Sequence, residues 1–253
     1  MFNLNGKNAL ITGASGGIGR AIAETLHASG ARLTISGTRM EPLEELAKSL
    51  GDRVHIMGCD LSNGVEVENL SKGAQEKMGS VDILVNNAGI TRDNLFLRMT
   101  DEDWASVLEV NLTSTMKLCR GVLRGMMKSR WGRIVNIGSV VGSTGNPGQG
   151  NYAASKAALE GLTRSMASFY AKDRIRINLL CPGLVATPMS ARAQSDEGIM
   201  DYIETKQPLD GGRMGQPEDL NEAAAYFLSD ASHFVTGQIV NVDGGWSVSE
   251  GIG

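Results

Sequence analysis

Short β-branched runs alternate with longer amphipathic or alanine-rich stretches along the chain. The strand-like runs lie at 8–12, 32–36, 53–58, 81–86, 132–138, 174–180 and 238–242. The helix-like stretches lie at 17–29, 40–50, 64–78, 101–128, 151–171 and 217–229. Because parallel strands need crossover connections that cover the sheet, this alternation predicts an α/β fold with a seven-stranded, mostly parallel, doubly wound sheet.

Composition narrows the classes of protein that the chain can belong to. No linker, internal repeat or low-complexity tract divides the 253 residues, so we predict a single domain over 1–253. A net charge of −4 argues against a nucleic-acid binder, and no apolar run is long enough to cross a bilayer. Three cysteines without metal-type spacing, and no evident signal peptide, predict reduced thiols and a cytoplasmic location.

The first strand leads into TGASGGIGR, where Gly13, Gly17 and Gly19 are spaced G-x-x-x-G-x-G. Residues without a Cβ allow a tight strand-to-helix turn and close approach of the backbone to a phosphate. The helix that begins there offers free N–H groups and a partial positive charge. At the first βα junction this pattern predicts a dinucleotide-binding turn, with a purely structural turn as the alternative.

Tyr-x-x-x-Lys occurs twice, as Tyr152/Lys156 and as Tyr202/Lys206. Residues four apart share a helix face, so a lysine cation can lower the pKa of the tyrosine phenol. Ser139 ends the fifth predicted strand thirteen residues before Tyr152, whereas a methionine stands thirteen residues before Tyr202. Only the serine could hydrogen-bond the carbonyl oxygen that a tyrosine protonates. We therefore favour the first pair and expect the second to be ordinary residues.

Four motifs follow the predicted strands in order: T-G-x-x-x-G-x-G at 12–19, NNAG at 86–89, the Tyr152/Lys156 pair and CPG at 181–183. In these motifs the chain resembles the short-chain dehydrogenase/reductase family over nearly its whole length. The resemblance implies a single-domain Rossmann fold and a nicotinamide-dependent oxidoreductase. A dinucleotide-binding regulatory or scaffold protein is the alternative from another class.

The resemblance implies four catalytic residues, namely Asn111, Ser139, Tyr152 and Lys156. A carbonyl oxygen would dock between the serine and the tyrosine, and the tyrosine would act as general acid. The lysine would bond the nicotinamide ribose and hold down the phenol's pKa, and the asparagine would hold a water relay to the lysine. Asn111 also lies inside the predicted helix 101–128, where its amide competes for backbone groups, and a functional reason would explain it.

The cofactor-binding residues implied by the resemblance are Gly13, Ser15, Gly17, Ile18, Gly19, Thr38, Arg39, Asp60, Leu61, Asn87, Ala88, Gly89, Tyr152, Lys156 and Val185. Asp60 and Leu61 would flank the adenine, and Val185 would meet the carboxamide. Asp60 could instead cap the helix that follows.

The end of the second predicted strand bears on the choice of nucleotide. It reads Gly37-Thr38-Arg39, without the carboxylate that would bond a ribose 2′-hydroxyl and repel a 2′-phosphate. We therefore expect NADP(H) rather than NAD(H). One departure counts against this choice, because Gly16 stands where many NADP(H)-using relatives carry a basic residue.

Three stretches, 86–95, 132–142 and 145–158, resemble the bacterial β-ketoacyl-acyl-carrier-protein reductases within the family. This resemblance implies NADPH-dependent reduction of a 3-oxoacyl thioester in fatty-acid biosynthesis. The segment 184–216 and the ending VDGGW, with Trp246, resemble the broader run of short-chain reductases. A CoA thioester, sugar, steroid or small ketone is therefore the alternative substrate.

No acidic residue lies between Glu109 and Glu160, whereas seven basic residues do. Five of them make up what we call the basic face: Lys117, Arg120, Arg124, Lys128 and Arg130. Such a field would steer an acidic partner such as an acyl-carrier protein. A solvated face paired with acids from elsewhere in the fold, or a subunit interface, explains the pattern equally well.

The least regular stretch, 184–216, follows the sixth predicted strand and so lies above the carboxyl ends of the strands, where open α/β sheets bind ligands. We predict that it is a substrate lid, with a surface insertion of no special role as the alternative. The family resemblance also implies a homotetramer in which helices 101–128 and 151–171 pair across subunits. A buried face within one subunit would look the same in sequence.

Overall fold

The computed structural model describes residues 2–249, which form one sheet of seven parallel strands. In chain order the strands are β1 (Asn8–Thr12), β2 (Arg32–Gly37), β3 (Val54–Gly58), β4 (Ile83–Asn86), β5 (Gly132–Ile137), β6 (Ile175–Pro182) and β7 (Ile239–Val242). Their order across the sheet is β3-β2-β1-β4-β5-β6-β7, and every pairing is parallel. The predicted α/β fold with a seven-stranded sheet is confirmed.

Helices connect the strands and cover the sheet. They are α1 (Gly17–Ala28), α2 (Met40–Leu50), α3 (Gly64–Met78), α4 (Asp101–Leu108), α5 (Ser114–Ser129), α6 (Val141–Thr144), α7 (Gly150–Tyr170), α8 (Ala191–Gln194), α9 (Glu197–Lys206) and α10 (Asn221–Leu228). The segment 184–216 is more regular than expected, because it contains α8, α9 and short 3₁₀ turns. A 3₁₀ turn, Pro217–Leu220, also replaces the predicted start of α10.

The core lies on both faces of the sheet. Ala9 and Ile11 of β1 belong to one apolar cluster, which α1 and α10 complete, whereas Leu10 belongs to a second cluster completed by α3 and α5. Successive side chains of a strand point to opposite faces. A strand that is apolar at successive positions is therefore buried on both sides, which explains the helical layer on each face.

The predicted helix 101–128 is wrong in one respect. Between α4 and α5 the backbone forms a π-helical turn, Glu109–Thr113, centred on Asn111. The hydroxyls of Ser114 and Thr115 donate to the carbonyls of Val110 and Asn111, at 2.6 and 3.1 Å, and so satisfy acceptors at the widened turn. Single π turns of this kind occur often at functional sites.

The three cysteines, Cys59, Cys119 and Cys181, are buried and unpaired, as small core residues would be. Burial raises the pKa of each thiol, that of Cys119 to about 12. In residues 2–249 no helix is long and apolar enough to span a membrane, and no cluster of His, Cys, Asp and Glu could hold a metal ion. The cytoplasmic location stays a prediction.

Candidate active site

The crevice of the site opens where the strand order reverses, between the carboxyl ends of β1 and β4. Thr12 and Asn87 tie these two ends together. The hydroxyl of Thr12 accepts hydrogen bonds from the backbone N–H groups of Asn87 and Ala88, at 3.1 and 3.2 Å. The amide of Asn87 in turn donates to the carbonyls of Thr12 and Gly13, at 3.0 and 3.1 Å. In open α/β sheets such a switch point is the ligand-binding crevice.

The glycines of the first turn make close approach possible. Gly13 has φ +66°, and a Cβ there would lie 2.7 Å from the amide nitrogen of Asn87. Gly17 has φ +55°, and a Cβ there would lie 2.9 Å from the side chain of Thr187. A Cβ on Gly19 would collide with the carbonyl of Gly13. Gly19 therefore serves helix packing, while the other two shape the turn.

The N-terminus of α1 fits the phosphates of a dinucleotide. Its N-cap residue, Gly16, makes no side-chain cap, and its first turn holds no acidic residue. The first N–H groups of a helix lack partners within the helix and carry a partial positive charge. Because no side chain caps them here, they can bind an anion at the floor of the crevice.

The crevice contains a first cavity of about 340 Å³. Most of the predicted cofactor residues line it, namely Gly13, Ser15, Gly17, Ile18, Thr38, Arg39, Asp60, Leu61, Asn87, Ala88, Gly89, Tyr152 and Lys156. Gly19 lies behind the turn, and Val185 lines the neighbouring cavity instead. Thirteen of the predicted cofactor-binding residues, from separate parts of the chain, thus line one cavity.

Asp60 does not cap the helix that follows it. The N-cap of α3 is Asn63, whose side-chain oxygen accepts from the N–H groups of Val65 and Glu66. The Asp60 carboxylate instead accepts from the backbone N–H and hydroxyl of Ser62, at 2.9 and 2.8 Å. These hydrogen bonds lower the pKa of Asp60, so the side chain presents a negative charge at the first cavity.

Arg39 lies across the glycine turn. Its guanidinium donates to the carbonyl and the hydroxyl of Ser15, at 3.2 and 3.4 Å. A Cβ on Gly16 would lie 3.5 Å from the same guanidinium. The positive charge of Arg39 therefore lies directly beside Gly16.

A second cavity, of about 430 Å³, adjoins the first. Tyr152 lines both cavities, Ser139 lines the second, and Lys156 lines the first. Lys156 is 4% exposed, and its ammonium donates to the carbonyl of Ile137 at 2.8 Å. The predicted serine, tyrosine and lysine therefore come together where the two cavities meet.

The electrostatics differ from the sequence-based expectation that Lys156 lowers the pKa of Tyr152. Burial raises the pKa of Tyr152 to about 12, against the hydrogen bond with Ser139, which lowers it. Burial lowers the pKa of Lys156 to about 8, and no carboxylate of residues 2–249 lies beside it. The ammonium bonds to the backbone and lies 5.5 Å from the tyrosine ring centre. The phenol therefore holds its proton at neutral pH, as a general acid must.

Asn111 lies one layer behind these residues and is 1% exposed. Its amide oxygen accepts from the N–H of Ile90 at 2.8 Å, and its amide nitrogen donates to the Ile90 carbonyl at 3.0 Å and to the Ser155 hydroxyl at 3.1 Å. A Cβ on Gly89 would lie 3.2 Å from the Asn111 oxygen and 3.6 Å from the Lys156 nitrogen. Asn111 thus lies close to Lys156 without a direct hydrogen bond.

The second Tyr-x-x-x-Lys pair lies on α9 and is used differently. Tyr202 is half-exposed, lines the second cavity and packs edge-on against Trp246, with ring centres 5.9 Å apart. Lys206 donates to the carbonyl of Ser249 at 3.4 Å. The serine that hydrogen-bonds a tyrosine of the second cavity, Ser139, lies beside Tyr152.

Thr12 and Thr187 were not among the predicted site residues, although both line the first cavity. The sequence did point to Thr12, because it is the last residue of β1 and directly precedes Gly13 of the glycine turn. The sequence did not point to Thr187, since only the folded chain brings it against Gly17.

The chain is similar to one family of known proteins over nearly its whole length. The model of a family described as enoyl-(acyl carrier protein) reductase matches residues 13–247. The chain is 49% identical over 247 residues to nodulation protein G of Rhizobium sp. (strain N33), covering 97% of this chain and 98% of that protein. It is 43% identical over 247 residues to the 3-oxoacyl-[acyl-carrier-protein] reductase FabG of Escherichia coli (strain K12), covering 96% and 98%.

Among solved structures, the chain resembles one from Agrobacterium tumefaciens assigned as a gluconate dehydrogenase. The TM-score is 0.91, the sequences are 32% identical, and the match covers 98% of each chain.

Proposed function

The chain belongs to the short-chain dehydrogenase/reductase family of oxidoreductases, and on that premise we propose that it reduces β-ketoacyl thioesters with NADPH. The physiological substrate would be a 3-oxoacyl-acyl-carrier protein in fatty-acid biosynthesis. Relatives of this chain carry that activity in their names, at 42–44% identity over nearly the whole length.

The observation that carries the proposal is the position of Tyr152 between the two cavities, beside Ser139. A carbonyl oxygen in the second cavity would receive hydrogen bonds from the Ser139 hydroxyl and the Tyr152 phenol. The phenol is protonated at neutral pH, so it can pass its proton to the oxygen as negative charge develops there. The nicotinamide, held in the first cavity, supplies the hydride when bound.

Lys156 holds the nucleotide side of the site. Its buried ammonium reaches the edge of the first cavity, where a ribose hydroxyl could accept from it in addition to the Ile137 carbonyl. Once the phenol has lost its proton, the same cation would stabilise the phenolate. Asn111, which Ile90 and Ser155 hold in place, would position a water that carries a new proton to Lys156.

A second candidate substrate is a polar hydroxy acid, in line with the solved structure assigned as a gluconate dehydrogenase. Arg192 lines the second cavity and has no acidic partner within residues 2–249. On the same cavity, Gln149 donates to Asp93 at 3.0 Å and accepts from Asn146 at 2.9 Å. The apolar side chains of Leu184, Val185 and Ile203, which line the same cavity, favour the thioester.

NADPH oxidation at 340 nm tests the function directly. Acetoacetyl-acyl-carrier protein, acetoacetyl-CoA and a few small ketones are compared, together with gluconate oxidation in the reverse direction, each with both nucleotides. The highest kcat/KM is expected for the carrier-bound thioester with NADPH. A higher kcat/KM for gluconate or a free ketone would overturn the proposed substrate and leave the family assignment intact.

The proposed preference for NADP(H) rests on Arg39, whose guanidinium lies over the turn at Ser15 and Gly16. Arg39→Asp is expected to lower kcat/KM with NADPH by about 10- to 100-fold, because a charge-assisted hydrogen bond contributes roughly 1.5–3 kcal/mol. Activity with NADH should fall far less. Arg32→Asp, at the opposite end of β2, makes the same charge change and serves as control. Equal losses with both nucleotides would contradict the assignment.

The basic face is the proposed docking site for the carrier protein, and the fold gives it two kinds of members. Lys117 and Arg130 pair with Glu109 and Asp173, at 2.8 and 3.7 Å, and the contact of Arg120 with Glu68 is a loose 4.0 Å. Ion pairs with acidic residues from elsewhere in the fold therefore neutralise part of the basic face. The other two members of the basic face, Arg124 and Lys128, are exposed and have no acidic partner in the described chain.

Arg124→Glu or Lys128→Glu is expected to raise KM several-fold for acetoacetyl-acyl-carrier protein, because each reverses a charge that would steer an acidic partner. KM for the acetoacetyl thioester of N-acetylcysteamine should not change. Lys48→Glu, on α2, carries the same charge change away from the basic face. If the two substrates respond alike, the face is not a docking site.

We also propose a homotetramer, as the family resemblance implies. Phe169 of α7 is 60% exposed and Met127 of α5 is 40% exposed in the single chain, which an interface along these helices would cover. Light scattering on the purified protein measures the mass, and a monomer would contradict the proposal.

A further inference from the structure

Two aromatic side chains from distant parts of the sequence meet on the wall of the second cavity. Tyr202 comes from α9 and Trp246 from the segment after β7. Their rings lie edge to face, with centres 5.9 Å apart and planes at 84°. Both line the cavity that Ser139 and Tyr152 also line. Edge-to-face pairs are a favourable arrangement worth about 0.5–1.5 kcal/mol beyond their burial.

Trp246 is held in place by its own segment. The carboxylate of Asp243 accepts from the N–H groups of Gly245 and Ser247, at 3.0 and 2.8 Å, on either side of the tryptophan. The N–H of Trp246 itself donates to the carbonyl of Asp243 at 3.1 Å. This tight turn fixes the backbone from which the indole projects.

Tyr202 is held through the end of its helix. Gln207, 2% exposed, accepts from the N–H of Leu184 at 2.5 Å and donates to the carbonyls of Leu184 and Arg213, at 3.2 and 3.3 Å. The hydroxyl of Ser249 also donates to the carbonyl of Thr205 at 2.8 Å. The buried amide thus joins both ends of the segment 184–216 to α9.

The sheet sets the distance from the reacting groups to this aromatic pair. Ser139 follows β5, and Trp246 follows β7, with β6 between them. Neighbouring strands lie about 4.8 Å apart, so β5 and β7, which lead into the two segments, are roughly 10 Å apart. Leu184 and Ile203 line the same cavity from the lid side, with Ile203 buried.

We propose that Tyr202 and Trp246 close the end of the acyl site and restrict the enzyme to short-chain β-ketoacyl substrates. This inference rests on the proposed function and adds the substrate length to it. A short acyl chain extends from the carbonyl at Ser139 and Tyr152 along the apolar lid wall and ends against the rings. A longer chain meets the indole, which its turn and the packed tyrosine keep from moving aside.

The test compares acetoacetyl and 3-oxooctanoyl thioesters of N-acetylcysteamine, which avoid any contribution from a carrier protein. The unmodified enzyme should favour the acetoacetyl ester. Trp246→Ala should shift the ratio of the two kcat/KM values toward the longer ester by about tenfold or more, the scale on which a pocket discriminates added methylenes. Trp246→Phe should give an intermediate ratio, and Tyr202→Phe, which keeps the ring, no shift. Trp104→Ala removes a tryptophan from α4 and is the matched control.

An unchanged length ratio in Trp246→Ala, in a variant that melts cooperatively, overturns the inference while the proposed function stands. If the unmodified enzyme reduces neither ester and does not reduce acetoacetyl-acyl-carrier protein, the proposed function fails instead. Calorimetric binding of the butanoyl and octanoyl esters in the presence of NADP⁺ then measures the length preference without turnover. If the aromatic pair closes the acyl site, Trp246→Ala should bind the octanoyl ester more tightly, relative to the butanoyl ester, than the unmodified enzyme does. The same ratio of affinities in both proteins would overturn the inference.

Discussion

Tyr152→Phe is expected to lower kcat by about 10²- to 10⁴-fold, the contribution typical of a positioned general acid, while NADPH still binds. The variant keeps the ring and loses only the hydroxyl that donates a proton at the junction of the two cavities. Cofactor binding draws mainly on the glycine turn and the uncapped N-terminus of α1, neither of which the substitution touches. Steady-state kinetics and NADPH fluorescence titration measure the two properties separately.

Tyr202→Phe provides the control, because it removes the same hydroxyl from the other Tyr-x-x-x-Lys pair. Its kcat should stay close to that of the unmodified enzyme, since the ring still packs on Trp246 and the hydrogen bond with Ser139 belongs to Tyr152. Full activity in Tyr152→Phe, or an equal loss in both variants, would refute the assignment of the general acid.

The sheet and much of the candidate site could be predicted because their signals are local. The buried strand β1 is apolar at three successive positions, and Gly13 and Gly17 stand where the backbone adopts positive φ. Both features depend on neighbours along the chain. The choice between Tyr152 and Tyr202 also used local context, and the structure places Ser139 beside Tyr152. The catalytic role of Tyr152 stays a prediction.

Features that depend on distant neighbours could not be predicted. The π turn at Asn111 depends on its hydrogen bonds to Ile90, twenty-one residues away. The pKa of Tyr152 depends on burial, which sequence spacing does not reveal.

We expect the burial of Lys156 to lower the free energy of unfolding. Its pKa is lowered from 10.5 to about 8, mainly by burial, and no carboxylate in the described part of the chain offsets the buried charge. A tenfold change in proton affinity equals about 1.4 kcal/mol, so the charged lysine costs about 3 kcal/mol at neutral pH. Such a residue is kept for function, since an apolar side chain of the same length would be more stable there.

Lys156→Met is therefore expected to abolish turnover and, in the absence of nucleotide, to raise the free energy of unfolding at pH 7 by about 2 kcal/mol. The gain is less than the full cost of the charge, because the carbonyl of Ile137 loses its hydrogen bond, worth about 1 kcal/mol. Urea denaturation followed by circular dichroism measures the difference. Lys48→Met, at an exposed position on α2, should change stability by less than about 0.5 kcal/mol.

The pH dependence distinguishes this effect from ordinary repacking. Because the folded-state pKa of Lys156 is lowered, the unfolded chain binds more protons than the native protein between about pH 8 and 10.5. The stability of the unmodified protein therefore gains from this group as pH rises through that range, and Lys156→Met lacks the gain. The advantage of the variant should be fully present at pH 7 and shrink to less than about half by pH 9.5. An advantage that stays constant with pH would mean that Lys156 is not buried as a cation.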